Sequence, residues 1–197
     1  MAKGNRLYNV VWAVMRVGFD LLIPCRVTGL ENVPREGGFV LCVNHLSAWD
    51  PLYVSAQLPR KRRMYFLAKK ELFSNRLLGY LIRCLGGVPI DRGNADIAAM
   101  RTTLQLVKEG QGMGIFPQGT RSKDNSPTPM LPGASMIALR AGVPVIPCYI
   151  GGPYKLFRRI DLKFGAPIDF SDFGRRCDHD TLEAATARIA DAVWGLK

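Results

Sequence analysis

Histidine is scarce in this 197-residue chain: there are two, His45 and His179, and neither stands among other ligand types. That scarcity excludes the common patterns of metal centres, and no metal is expected. Cysteine is thinly spread as well. Cys25, Cys42, Cys84, Cys148 and Cys177 are an odd number with no Cys-x-x-Cys pair, and three of them lie in apolar runs. A disulfide frame is therefore not expected, and reduced core thiols in a cytosolic setting are. Acids are few too: 16 Asp and Glu face 27 Lys and Arg, a formal net charge of +11. The imbalance sits in the first half, where residues 1–90 hold 13 basic side chains against 5 acids, while residues 91–197 hold 14 against 11. A basic half suits an anionic membrane surface, an acidic carrier protein or nucleic acid. No nucleic-acid reading module, internal repeat or low-complexity arm accompanies the run Arg60-Lys61-Arg62-Arg63, so nucleic acid is not expected as a partner.

A long uninterrupted apolar run is also missing. Residues 7–24 come nearest, but Asn9, Arg16 and Asp20 interrupt them on one side at helical spacing, giving a wide apolar face and a narrow polar line. An ion pair at i, i+4 is costly in mid-membrane, and the same charges break the apolar core of a secretory signal. The pattern predicts an interfacial helix over residues 1–24, with Trp12 and Phe19 entering lipid and Lys3 and Arg6 meeting anionic headgroups. Packing of this helix on the protein's own core is the alternative. The remainder, residues 25–197, suits one domain.

What is present alternates. Strand-like runs at 26–29, 39–43, 64–68, 87–90, 112–116, 143–150 and 161–164 are separated by helical stretches at 50–57, 75–85, 94–109, 133–141 and 181–194. Such alternation predicts a single α/β domain with a mainly parallel central sheet flanked by helices. Functional residues then fall at strand ends, where open sheets form their crevices.

Two of those strand ends carry chemistry. Directly after Phe39-Val40-Leu41-Cys42-Val43 stand His45 and, five residues on, Asp50, with Asp50-Pro51 marking a helix start in which Asp is the cap. A turn that folds Asp50 back would make His45 a general base and Asp50 its orienter. Ser47 as a nucleophile is a rival, although nothing near it resembles a nucleophile elbow. The second strand end is Gly114-Ile115-Phe116-Pro117-Gln118-Gly119-Thr120-Arg121-Ser122. Its chemistry is anion recognition: Gly119 permits close backbone approach, Thr120 and Ser122 offer hydroxyls, and Arg121 offers a fork matched to phosphate oxygens. Gly87-Val88-Pro89-Ile90-Asp91-Arg92 brings another arginine to the end of a short apolar run, and Val143-Pro144-Val145-Ile146-Pro147 is one more strand bracketed by prolines.

In that order the four segments resemble the conserved blocks of the glycerophospholipid acyltransferase family, across roughly residues 26–150, and Gly29-Leu30-Glu31-Asn32-Val33-Pro34 is similar to its lead into the first strand. The resemblance implies acyl transfer from a thioester, acyl-CoA or acyl carrier protein, to the free hydroxyl of 1-acylglycerol 3-phosphate (lysophosphatidic acid), giving phosphatidic acid. It implies His45 and Asp50 as catalytic residues, with Arg92, Gln118, Gly119, Thr120 and Arg121 binding substrate. No cofactor is implied beyond the thioester co-substrate, and no acyl-enzyme. The implied partners are the lysolipid, the thioester donor, an anionic membrane surface and acyl carrier protein; the implied location is the cytoplasmic face of the cell membrane, peripheral or monotopic.

Two positions depart from the family pattern. Gln118 stands where glutamate is usual, keeping an acceptor but losing a charge, and Leu131 precedes Pro132-Gly133 where some relatives carry lysine. These departures bear on the acceptor. Another lysolipid, or a basic membrane- or nucleic-acid-binding module without catalysis, is the alternative function.

Overall fold

The computed structural model describes residues 6–91, 96–122, 124–174 and 177–197. Seven strands form one sheet in the order β1-β7-β6-β2-β5-β3-β4, with β1 at Cys25–Thr28, β2 at Phe39–Val43, β3 at Met64–Lys69, β4 at Gly87–Ile90, β5 at Gly112–Ile115, β6 at Val145–Ile150 and β7 at Ile160–Phe164. Every pairing is parallel except β6 with β7. The expected mainly parallel α/β domain is the fold observed.

Central strands read as unbroken apolar runs because helices cover both sheet faces. All five residues of β2 and all six of β6 are buried. Successive side chains divide between two cores. Phe39, Leu41 and Val43 meet Tyr53, Val54 and Leu58 of helix α2 (Asp50–Gln57) on one face. Val40 and Cys42 meet Val107 of α4 (Ile97–Lys108), Ile137 of α5 (Gly133–Ala141) and Ile189 of α6 (His179–Trp194) on the other. Truncating Leu41, which is completely buried, removes contacts worth about 2–5 kcal/mol.

Helix α1 (Arg6–Leu22) and helix α3 (Arg76–Cys84) join α2 on the first face. In α1 the expected Arg16–Asp20 pair forms at 2.7 Å, but the orientation of the helix differs from the sequence reading. Trp12 donates to the Ser55 carbonyl, Arg16 to the Ala56 carbonyl and the Gln57 side chain, and Phe19 packs edge-on against Tyr53. Trp12 and Phe19 therefore face the protein, where Trp12 and Arg16 satisfy carbonyls that the last turn of α2 leaves unpaired. The outward stripe is Val10, Val14, Val17 and Leu21. Lys3 lies outside the described residues. No helix among the described residues is long and apolar enough to cross a membrane.

Candidate active site

His45 sits just past the carboxyl end of β2, where the chain leaves the sheet and turns into α2. Asp50 is the first residue of that helix and does not cap it; its side chain turns back instead of forward. One oxygen, Oδ2, accepts from His45 Nδ1 at 2.7 Å and from the backbone N–H groups of Leu46 and Ser47 at 2.7 and 2.8 Å. The other, Oδ1, accepts from the Tyr154 hydroxyl at 2.7 Å. A completely buried carboxylate thus has four donors, as a buried charge requires. Burial raises the Tyr154 phenol well above its ordinary range, and the Asp50 charge adds to the effect, so Tyr154 stays a donor.

This arrangement fixes the tautomer. An ionised carboxylate only accepts, so neutral His45 carries its proton on Nδ1 and presents the Nε2 lone pair, which has no partner among the described residues. The ring is stacked on Phe116 at 4.2 Å, and Phe116 in turn on Phe66 at 5.7 Å. The residue remains 9% exposed, enough to leave one ring edge reachable.

The loop after β5 grips the same histidine from both sides. Gln118 Oε1 accepts from the His45 backbone N–H at 2.6 Å, and the Ser122 N–H donates to the His45 carbonyl at 2.8 Å. The Gln118 amide spends its other end on Thr128 Oγ1 at 2.6 Å. It holds this loop against His45, and it also borders the cleft beside the site. Gly119 adopts φ +71°, a backbone conformation that favours glycine. Behind, Asn44 bonds Ile150 through both its donor and its acceptor and also reaches Asn125, so β2 and β6 are locked together beside the site.

A cleft of about 460 Å³ opens at the carboxyl ends of β3, β4 and β5, lined by Leu67, Asp91, Phe116, Gln118, Gly119 and Thr120. Arg121 is exposed on the same loop and makes no hydrogen bond or ion pair with the described residues. Arg92 lies outside the described residues, although its neighbour Asp91 borders the cleft. A second groove, about 280 Å³ and mostly apolar, runs between α2, β3 and α3, past Ala48, Pro51, Leu52, Phe66, Leu81 and Ile82. Ser47 Oγ accepts from the Trp49 N–H at 3.3 Å, a local turn contact. Among the described residues no cluster of His, Cys, Asp and Glu is suited to a metal ion.

Sequence spacing signals His45, Asp50 and the Gln118–Arg121 loop, and all belong to this end of the sheet. Tyr154 escapes such reading, because it stands 104 residues from its partner and carries no motif of its own.

Comparison with known proteins gives one consistent result. The family model described as Acyltransferase matches residues 24–151. The chain is 30% identical over 196 residues to the 1-acyl-sn-glycerol-3-phosphate acyltransferase of Bacillus subtilis, covering 97% of each protein. It is 32% identical over 166 residues to the protein of that name from Streptococcus pneumoniae, covering 81% of this chain and 61% of the relative. Among solved structures, the 1-acyl-sn-glycerophosphate (LPA) acyltransferase PlsC from Thermotoga maritima superposes with a TM-score of 0.75 at 27% identity, over 96% of this chain and 79% of that one.

Proposed function

Since the chain belongs to the acyltransferase family, we propose that it moves a fatty acyl group from a thioester, acyl-CoA or acyl carrier protein, to the free hydroxyl of 1-acylglycerol 3-phosphate, forming phosphatidic acid. The observation that carries this reading is His45, with Nδ1 committed to Asp50 and Nε2 without a partner among the described residues. Nε2 takes the hydroxyl proton as the acceptor oxygen attacks the thioester carbon. The C–O bond forms, the C–S bond breaks, and the thiolate leaves with the proton returned by the imidazolium. Asp50 stabilises that imidazolium without taking its proton. The histidine is not acylated, and no cofactor besides the thioester takes part.

Arg121 and Arg92 clamp the phosphate of the acceptor, and Gly119 and Thr120 shape its pocket. The exposed guanidinium of Arg121 supports this assignment, because its donors make no hydrogen bond or ion pair among the described residues. The apolar groove under α3 suits a fatty acyl chain. The enzyme works at the cytoplasmic face of the membrane, peripherally or monotopically, with the outward stripe of α1 in the lipid interface.

Thiol release from acyl-CoA or acyl carrier protein is the test. The purified protein should release thiol only when lysophosphatidic acid is present, and His45→Ala should abolish release while the protein remains folded, with a cooperative thermal melt. Undiminished turnover by His45→Ala would overturn the mechanism.

A further inference from the structure

The two helical layers of this molecule treat apolar residues differently. On one face, α5 and α6 expose no large apolar side chain and α4 exposes only Ile97. The other face exposes Val10, Val14, Val17 and Leu21 on α1, Trp49 at the entry to α2, and Leu77, Leu78, Tyr80 and Leu81 on α3. Helix α3 is the sharper case. Its inner side, through Leu78, Leu81 and Ile82, already lines the apolar groove. Yet Leu77 on its outer side is 80% exposed and Tyr80 58%. Apolar chains at this density on a charged helix are not explained by a need of the fold.

Cations frame the helix. Arg76 opens it and Arg83 lies in its last turn, while Lys69 precedes and Lys70 begins the short 3-10 turn Lys70–Phe73 that leads into it. Glu71 is the one carboxylate in that stretch. Arg83 lies over the Phe73 ring, keeping a charge beside the apolar surface. An apolar strip with basic margins matches the chemistry of an anionic bilayer, where acyl chains lie beneath phosphate headgroups. The geometry favours a bilayer over an acidic carrier protein, because the exposed residues lie in the same helical layer as the stripe on α1, a helix about 25 Å long.

We propose that α3 is a second membrane-docking element, which seats the outer surface of the acyl groove on anionic lipid independently of α1. The proposal rests on the acyl-transfer reading only in taking the lysolipid to be delivered from that bilayer. Docking by α3 places the groove beside the leaflet that holds the acceptor and receives the product.

The test is the double variant Leu77→Asn/Tyr80→Asn, whose side chains do not line the groove. Full-length protein is sedimented with phosphatidylglycerol-containing vesicles, its melt is recorded, and turnover is measured with the acceptor in vesicles and with a short-chain, water-soluble lysophosphatidic acid. With an unchanged melt, vesicle binding should fall roughly tenfold or more. Turnover should fall likewise on vesicles and hold on the soluble acceptor. Arg76→Gln/Arg83→Gln should weaken binding only at low salt and only to anionic vesicles. Wild-type binding and vesicle turnover by the Leu77→Asn/Tyr80→Asn protein would overturn the proposal. So would unchanged vesicle binding with turnover lost only when the donor is acyl carrier protein, which would assign this face to the carrier. A wild-type protein that docks through α3 yet transfers no acyl group to either acceptor would overturn the acyl-transfer reading alone.

Discussion

Asp50 gathers more of the site than any other side chain, and the worth of each contact is measurable. Tyr154 is bonded to the oxygen that His45 does not use, so Tyr154→Phe leaves Oδ1 buried and unpaired at a stability cost of about 1–3 kcal/mol. Losing that donor also concentrates the carboxylate's charge on the imidazole and holds the imidazolium more tightly. The expected result is a kcat reduced roughly ten- to hundredfold, little change in KM for either substrate, and an acid limb of the pH–rate profile displaced to higher pH. A stability loss without that displacement would make Tyr154 merely structural. Gln118 behaves differently. Gln118→Glu keeps an acceptor for the His45 N–H, and the Thr128 hydroxyl can turn to donate, so fold and activity should be retained. Gln118→Leu strands both partners, and its thermal melt and kcat should fall together. The sequence shows Gln118 as a departure from a pattern but not what it touches, because Thr128 and the His45 backbone become its neighbours only after the β2 and β5 loops meet.

At the scale of elements, legibility followed how completely burial constrains a segment. The predicted limits of β2, β4, α2 and α5 coincide with those observed, since apolar runs bounded by Gly, Pro or Asp leave little choice. Helix α1 is the counterexample. Its amphipathic pattern identifies a helix, but an amphipathic pattern does not say which face meets protein, and the wide face turns out to be shared between α2 and the outside. The edge pair β1–β7 carries a contact that no sequence pattern reveals. Arg26 stands in register with Asp161 and holds it through two bonds of 2.7 and 2.8 Å, which depress the Asp161 carboxyl below its usual range. A depressed folded-state value contributes stability that is present above the unfolded carboxyl value of about 4 and is lost as pH falls through the folded one. Arg26→Met should therefore melt below the wild type at neutral pH, with the gap closing in acid and narrowing in high salt. A gap independent of pH would show that the ion pair does not produce it.

Across the whole molecule, the sheet separates two places that the sequence invites one to combine. His45 follows the end of β2, whereas Arg60-Lys61-Arg62-Arg63 precedes the start of β3, and both strands run parallel to β5. The basic run and His45 are thus at opposite ends of the parallel strands. Half of the run is also committed: Arg62 donates to the Gly37 and Gly110 carbonyls over the Phe39 ring, and Arg63 donates to the Arg83 and Cys84 carbonyls between the Tyr8 and Tyr65 rings. These contacts tie α1, β3 and α3 together. Arg62→Gln/Arg63→Gln should accordingly lower the melting temperature, while Arg60→Gln/Lys61→Gln should leave it alone and weaken vesicle binding slightly, at low salt only. On the proposed membrane placement, the salt-insensitive part of attachment is shared between the α1 stripe and the apolar face of α3. Deleting residues 1–22 is a poor probe of it, because the deletion also strips Tyr8, Trp12 and Phe19 from the protein and should destabilise the fold. Val14→Asn/Val17→Asn touches only the outward face. It should keep the wild-type melt and weaken vesicle binding at high salt to what the α3 face alone supports, read by sedimentation beside the melt. If those two changes leave high-salt binding intact, the α1 stripe does not meet the bilayer, and attachment must come from the α3 side.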